Sequence, residues 1–273
     1  MITYIPDGTQ EQAAISRTTH LAISAHQDDI EFMAYAPIAE CFGAQDKWFG
    51  AVVVTDGAGS PRSGIYADYT DEEMKEVRVV EQKKAAFLGE YSFLALLGHP
   101  SKEVKAGDRA IVEELASLIK RAKPKNLYTH NLADKHETHV ATALRVIAAL
   151  RLLKPEERPE KVFGCEVWRD LDWLSDNEKI YLDCGAHPNL MRALSAVFDS
   201  QIAGGKRYDL AAEGRRLANA TFSASHACDT YSALNYAMDL TPLMDENVDI
   251  ADFIASAIER FKEQVKEGIR KFQ

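Results

Sequence analysis

Five short apolar segments recur along the chain: HLAISA (20–25), FGAVVVT (49–55), SFLALL (92–97), NLYTH (126–130) and KVFGCEVW (161–168). Most are nearly continuous apolar runs. A strand with one wet face alternates apolar and polar residues; a strand buried on both faces does not. Helical periodicity fills the intervals. Glu31 to Phe42 reads as one helix. Asp71 to Leu88 reads as another, with Val77, Val80, Ala85 and Leu88 pointing inward. Asp108 to Ala122 gathers Ile111, Leu115, Leu118 and Ile119 on one face, and His139 to Leu153 gathers Ala143, Val146, Ile147 and Leu150. This alternation predicts an α/β fold with a mostly parallel sheet and helices on both sides. Right-handed crossovers bring the strands' carboxyl ends to one edge, where ligands bind in such folds. His26 follows the first segment, Asp56 and Gly57 the second, His99 the third, and His130 ends the fourth.

The 273 residues are read as one domain, with an α/β core over about 20–168 and a mainly helical C-terminal part, 169–273, packed on it. Asn189 to Ser200, Leu210 to Thr221 and Asp249 to Phe272 read as helices. The last carries a stripe of Ile250, Phe253, Ile254, Ala257, Ile258, Phe261 and Val265. It is expected to pack on the core, with a partner helix in a homo-oligomer as the alternative. The Gly- and Ser-rich stretch 56–71 is either a lid over the site or a surface insertion. A net charge of −10 argues against a nucleic-acid partner. No run reaches the roughly 18 apolar residues of a membrane span. Cys41, Cys165, Cys184 and Cys228 are scattered and form no CxxC pair, which fits a reduced, cytoplasmic protein without disulfides or a thiolate zinc site.

Two polar clusters carry the chemistry. AHQDDIE (25–31) holds His26, Asp28, Asp29 and Glu31; HNLADKHETH (130–139) holds His130, Asp134, His136 and His139. Residues three apart on a turn face the same way. One imidazole and one carboxylate from the first cluster, with one imidazole from the second, would give three ligands and an open position. Catalytic zinc sites have that form, and two histidines with a carboxylate also suit ferrous iron. The remaining carboxylate and histidine could then serve as base and as oxyanion or leaving-group partner, which is a sufficient set for amide hydrolysis. Spacing alone does not say which aspartate is ligand and which is base, and either could instead cap the helix that follows.

The motifs narrow the choice. AHQDDIE resembles the AHPDDxE motif of the PIG-L/LmbE-like deacetylases, and HETH resembles their HPDH/HxxH motif. TDG (55–57) and RVVEQKKAAFLG (78–89) resemble two further segments of that family, in the same order. The resemblance covers roughly residues 20–150. It implies a Rossmann-like fold and a metal-dependent N-deacetylase acting on N-acetylglucosaminyl compounds, with one divalent metal, zinc or alternatively ferrous iron. By position it makes His26, Asp29 and His139 the metal ligands, Asp28 the general base, and His136 the oxyanion stabiliser or general acid. Arg78, Asp56 and Gly57 fall where the family contacts its sugar. Gln27, Glu137, Thr138 and Ser101 depart from the family pattern, and these departures bear on substrate recognition. A metal-dependent amidase on a non-sugar acyl amine is therefore the alternative reading, and a non-catalytic, metal-containing sugar-binding protein is the third.

Overall fold

The computed structural model describes residues 1–273. The N-terminal part supplies β1 (Ile2–Tyr4), α1 (Glu11–Ser16), β2 (His20–Ser24), α2 (Asp29–Met33), α3 (Tyr35–Cys41) and β3 (Phe49–Thr55). The middle supplies α4 (Asp71–Leu88), β4 (Phe93–His99), α5 (Ser101–Ala106), α6 (Arg109–Ala122), β5 (Asn126–His130), α7 (Glu137–Leu152) and β6 (Lys161–Cys165). The last third supplies β7 (Lys179–Asp183), α8 (Pro188–Ala196), α9 (Asp199–Ile202), α10 (Tyr208–Phe222), β8 (Leu234–Asp239) and α11 (Ile250–Arg270).

All strands join one sheet in the order β1-β4-β3-β2-β5-β6-β8-β7. The central strands β4, β3, β2, β5 and β6 are parallel, as their unbroken apolar sequences require. β1 and the β8–β7 pair flank them in antiparallel pairing. Alternate strand residues feed two cores. Leu21, Ile23, Val52 and Val54 pack with α6 and α7 on one face, and Ala22, Ala51 and Val53 with α2, α3 and α8 on the other. From β2 the chain runs outward through β3 to β4, then returns to the opposite side of β2 as β5. That reversal opens a crevice beyond the ends of β2 and β5, and it is where His26 and His130 lie.

Several expectations need correction. The stretch from Glu31 to Phe42 is two helices, broken at Ala34, whose φ of −122° is not helical. α4 has the predicted span, and of its predicted inward residues Ala85 is buried and Val77 half-buried. Val80 and Leu88 are exposed, while Arg78, Glu81 and Gln82 are buried with Met74 and Ala85. The helix covers the polar crevice rather than an apolar layer, so polar side chains are what it turns inward. The last third is rich in helix, but it also adds β7 and β8 to the sheet. Finally, α11 buries only Ala257. Ile250, Phe253 and Ile254 rest partly on the core, whereas Ile258 and Val265 are 47% and 44% exposed.

Candidate metal centre and active site

The first cluster sits in the β2–α2 turn. Asp28 occupies the N-cap position of α2 at φ +86°, a backbone region that non-glycine residues rarely enter. The side chain of Gln82 holds it there, accepting the Asp28 N–H through Oε1 at 3.1 Å. Gln82 Nε2 in turn donates to buried Glu31 at 2.8 Å, and Tyr91 donates to the same oxygen at 2.7 Å. Neither aspartate caps the helix through its side chain. Asp29 Oδ2 accepts the His26 N–H at 2.7 Å, which fixes the turn.

The second cluster begins α7. His136 is at its N-cap position and His139 lies in its first turn. Asp134 ties this start to the chain leaving β6, accepting N–H bonds from His136 at 2.9 Å and Trp168 at 3.1 Å. Three donors then converge across the crevice. His26 Nδ1 lies 3.1 Å from Asp29 Oδ2 and 3.2 Å from His139 Nε2, and His139 Nε2 lies 3.3 Å from Asp29 Oδ1. A tetrahedral zinc with nitrogen and oxygen bonds of about 2.0–2.1 Å separates its ligand atoms by about 3.3–3.4 Å. The spacing therefore fits a small divalent cation.

Two other groupings are close: His26 with His136 and His139, and Asp29 with His130 and His139, where His130 Nε2 lies 3.5 Å from Asp29 Oδ2. The latter fits less well, because His130 Nε2 already accepts the Ala25 N–H at 2.8 Å and has no lone pair left on that nitrogen. His130 is instead a buried neighbour stacked on His139 with ring centroids 4.0 Å apart. His139 Nδ1 faces Asp134 Oδ2 at 3.6 Å, so a carboxylate stands behind this histidine.

The electrostatics match. Burial alone would raise Asp29, but the imidazoles of His139, His130 and His26 hold it well below the usual carboxylate range. Burial would lower His139, but Asp29 and Asp134 push it up to about 9. The cluster thus retains one positive charge even as a proton, which a divalent cation would replace. His136 is driven to about 4 by burial and by its neighbours His139 and His26. It is neutral near pH 7, which suits a neutral N–H donor to an oxyanion better than a general acid. Asp28 is raised by burial to about 7, although Arg78 opposes the shift.

Arg78 is only 1% exposed. Its guanidinium meets Asp28 at 3.1 Å and Glu81 at 3.1 Å, and it donates to the Gln27 carbonyl and to Ser200 Oγ at 3.3 Å. It borders the cavity, yet these partners make it a charge partner of Asp28 more than a free sugar-binding group. Asp56 accepts the Ala58 N–H at 3.1 Å and pairs with Lys75 at 3.3 Å. It closes the loop after β3 and does not line the cavity, against expectation. Gly57 does line it, at φ +79°, with space for a Cβ blocked by Gln27 Oε1 at 2.7 Å.

His26, Asp28, Asp29 and His136 open into a cavity of about 310 Å³. Gly59, Ser60 and Pro61 of the 56–71 loop form part of its wall, so that segment borders the site. Sequence reasoning missed the opposite wall, made by Phe32, Glu166, Trp168, Tyr208 and Arg215. The placement of Trp168 at the end of a predicted strand segment, which the fold closes already at Cys165, was the available signal. Nothing local foretold Tyr208 and Arg215, which α10 delivers from far along the chain.

A sequence profile of the PIG-L family, described as GlcNAc-PI de-N-acetylase, matches residues 21–150. No curated protein sequence matches the chain. Among solved structures, N,N'-diacetylchitobiose deacetylase from Pyrococcus horikoshii superposes with a TM-score of 0.64 at 13% identity, covering 90% of this chain and 92% of that one. The A40926 pseudoaglycone deacetylase Dbv21 gives 0.58 at 18% identity, covering 82% and 97%. GalB, the 4-carboxy-2-hydroxymuconate hydratase from Pseudomonas putida KT2440, gives 0.64 at 18% identity, covering 85% and 100%. These likenesses confirm an α/β architecture of this type, which hosts more than one reaction. The motif match is more specific than the fold: the PIG-L profile matches residues 21–150, just under half of the chain, and this is the stretch that carries AHQDDIE, TDG and HETH.

Proposed function

We propose that the protein is a metal-dependent N-deacetylase of a small acetylated amino sugar, with His26, Asp29 and His139 holding one divalent cation, zinc by preference. The observation that carries this reading is a buried carboxylate, Asp28, that opens into the same cavity as His26 and Asp29, two of the three convergent donors, but is paired with Arg78 instead of joining them. A binding protein would have no use for a base there.

When bound, the cation would supply Lewis acidity toward the acetyl carbonyl and the attacking water. Asp28 takes the water's proton as the new C–O bond forms. A carboxyl group with a pKa near neutrality can accept that proton and return it to the departing amine, which makes Asp28 the better proton carrier of the two candidates. His136, neutral at pH 7, contributes an N–H donor to the developing oxyanion. Arg78 offsets the cost of burying Asp28 and fixes its direction. The amide C–N bond then breaks, giving acetate and a free amine.

The Trp168 and Tyr208 rings, 6.0 Å apart, offer an apolar wall beside His136 suited to the CH face of a sugar ring. Ser101, which departs from the family pattern and lines the cavity, favours the second reading of a non-sugar acyl amine. Protein stripped with chelator and reloaded with zinc should release acetate from N-acetylglucosamine or its glycosides, and should not before reloading. Release from acyclic N-acetyl amines alone would replace the substrate and keep the mechanism. No release with any divalent metal would overturn both.

A further inference from the structure

The peptide between Gln27 and Asp28 is gripped on both edges by one helix. Its C=O accepts from the Arg78 guanidinium, and its N–H donates to Gln82 Oε1 at 3.1 Å. Arg78 and Gln82 stand four residues apart on α4, so successive turns present them on one face. A peptide unit is planar, and fixing both of its edges fixes its orientation. Asp28 follows at φ +86° and ψ −33°. A residue with a side chain stays in so sparsely populated a region only where its surroundings over-determine it. The Asp28 C=O starts α2, accepting from the N–H groups of Glu31 and Phe32 at 3.1 and 3.3 Å. Its N–H has Gln82 alone.

Gln82 has one way to sit. It is fully buried, and the Asp28 N–H needs an acceptor, so the amide oxygen faces Asp28. The amide nitrogen then donates to Glu31 Oε1 at 2.8 Å, and Tyr91 donates to the same oxygen at 2.7 Å. Gln82, Glu31 and Tyr91 all lie behind the cavity and none lines it. An apolar side chain of the same size would fill the space of Gln82 but leave the Asp28 N–H buried and unpaired.

We infer that Gln82 is a positioning residue. By holding the backbone of Asp28 it keeps that carboxylate on Arg78 and open to the cavity, apart from His26, Asp29 and His139. The inference rests on Asp28 acting as the base in the proposed deacetylation.

Two quantities separate the clamp from the chemistry: hydrogen exchange of the Asp28 amide, followed by NMR, and single-turnover acetate release from N-acetylglucosamine by the zinc-loaded protein. Gln82→Met removes both hydrogen bonds and keeps an unbranched side chain. It should speed exchange at Asp28 at least about tenfold while the amides of β2 exchange as before. Acetate release should slow by about ten- to a hundredfold, the scale of a misplaced catalytic group, with zinc content and steady-state KM as in the wild type. Gln82→Glu/Glu31→Gln exchanges the acid and the amide, returns an acceptor to the Asp28 N–H, and should move both quantities back toward wild type. Unchanged exchange at Asp28, faster exchange without loss of rate, or a rate loss that comes with loss of zinc would each overturn the inference. So would a wild-type Asp28 amide that exchanges as fast as an unbonded loop amide, a result that needs no variant. Acetate release that does not depend on Gln82 defeats this inference alone, whereas no release by the wild type with any divalent metal defeats the deacetylase reading and the positioning role with it.

Discussion

Glu31 lies behind the candidate site, joined to Asp28 through Gln82; it is 1% exposed, and burial pushes its pKa up to about 8 from the 4.5 of a free side chain. It is therefore largely protonated in the folded protein at pH 7 and ionised in the unfolded chain. Between pH 4.5 and 8 the native state holds the extra proton, so stability is full below the lower value and is lost as pH rises toward the upper one. One proton held by the native state alone costs about 1.36 kcal/mol for each pH unit, so the loss between pH 5 and pH 8 is on the order of 3 kcal/mol. Glu31→Gln removes that proton uptake while keeping an acceptor for Gln82 and Tyr91. The other carboxyl oxygen has no partner in the protein, so the new amide group loses none. Urea unfolding of chelator-treated protein, wild type and variant, at pH 5 and pH 8 measures the difference. The variant should match wild type within about 1 kcal/mol at pH 5 and exceed it by about 3 kcal/mol at pH 8, worth about 6–12 °C in Tm. Parallel pH dependences would show that Glu31 is ionised in the fold and that the buried network around Asp28 is not as described.

Three further outcomes follow from the same geometry. Gly57→Ala must adopt φ +79° and push aside Gln27, so it should cost about 1–3 kcal/mol in thermal unfolding and lower kcat/KM by displacing Arg78. Arg78→Met leaves Asp28 and Glu81 buried without their cation; a loss of about 3–5 kcal/mol in denaturant unfolding is expected. The same variant should move the acidic limb of the kcat/KM profile to higher pH, because Asp28 then ionises less readily.

The parallel core was legible because strands buried on both faces leave continuous apolar runs, and β5 falls at 126–130 as read. β7 and β8 were not, because Lys179–Asp183 is half exposed and Leu234–Asp239 carries Asn235 and Asp239, so neither reads as a buried run. The inward face of α4 misled for a related reason. Periodicity finds apolar faces, and this helix buries Arg78, Glu81 and Gln82 against the crevice. At the site, clustering within each motif brought out the histidines and aspartates, and chain order placed them on one edge. What distinguishes Asp28 from Asp29 is not spacing but three-dimensional partners: Arg78 for one, His26 and His139 for the other. The Trp168 and Tyr208 wall depends on contacts between segments about forty residues apart, and no local pattern encodes it.

That division between two adjacent aspartates is best tested by metal content and single-turnover acetate release in Asp28→Asn and Asp29→Asn, prepared side by side with wild type. Asp28→Asn should bind about one zinc per chain with acetate release slowed by roughly 10²–10⁴, the usual contribution of a general base. Asp29→Asn should be purified without stoichiometric metal. The reverse pattern, with metal lost from Asp28→Asn and kept in Asp29→Asn, or full activity in Asp28→Asn, would contradict the assignment of ligand and base.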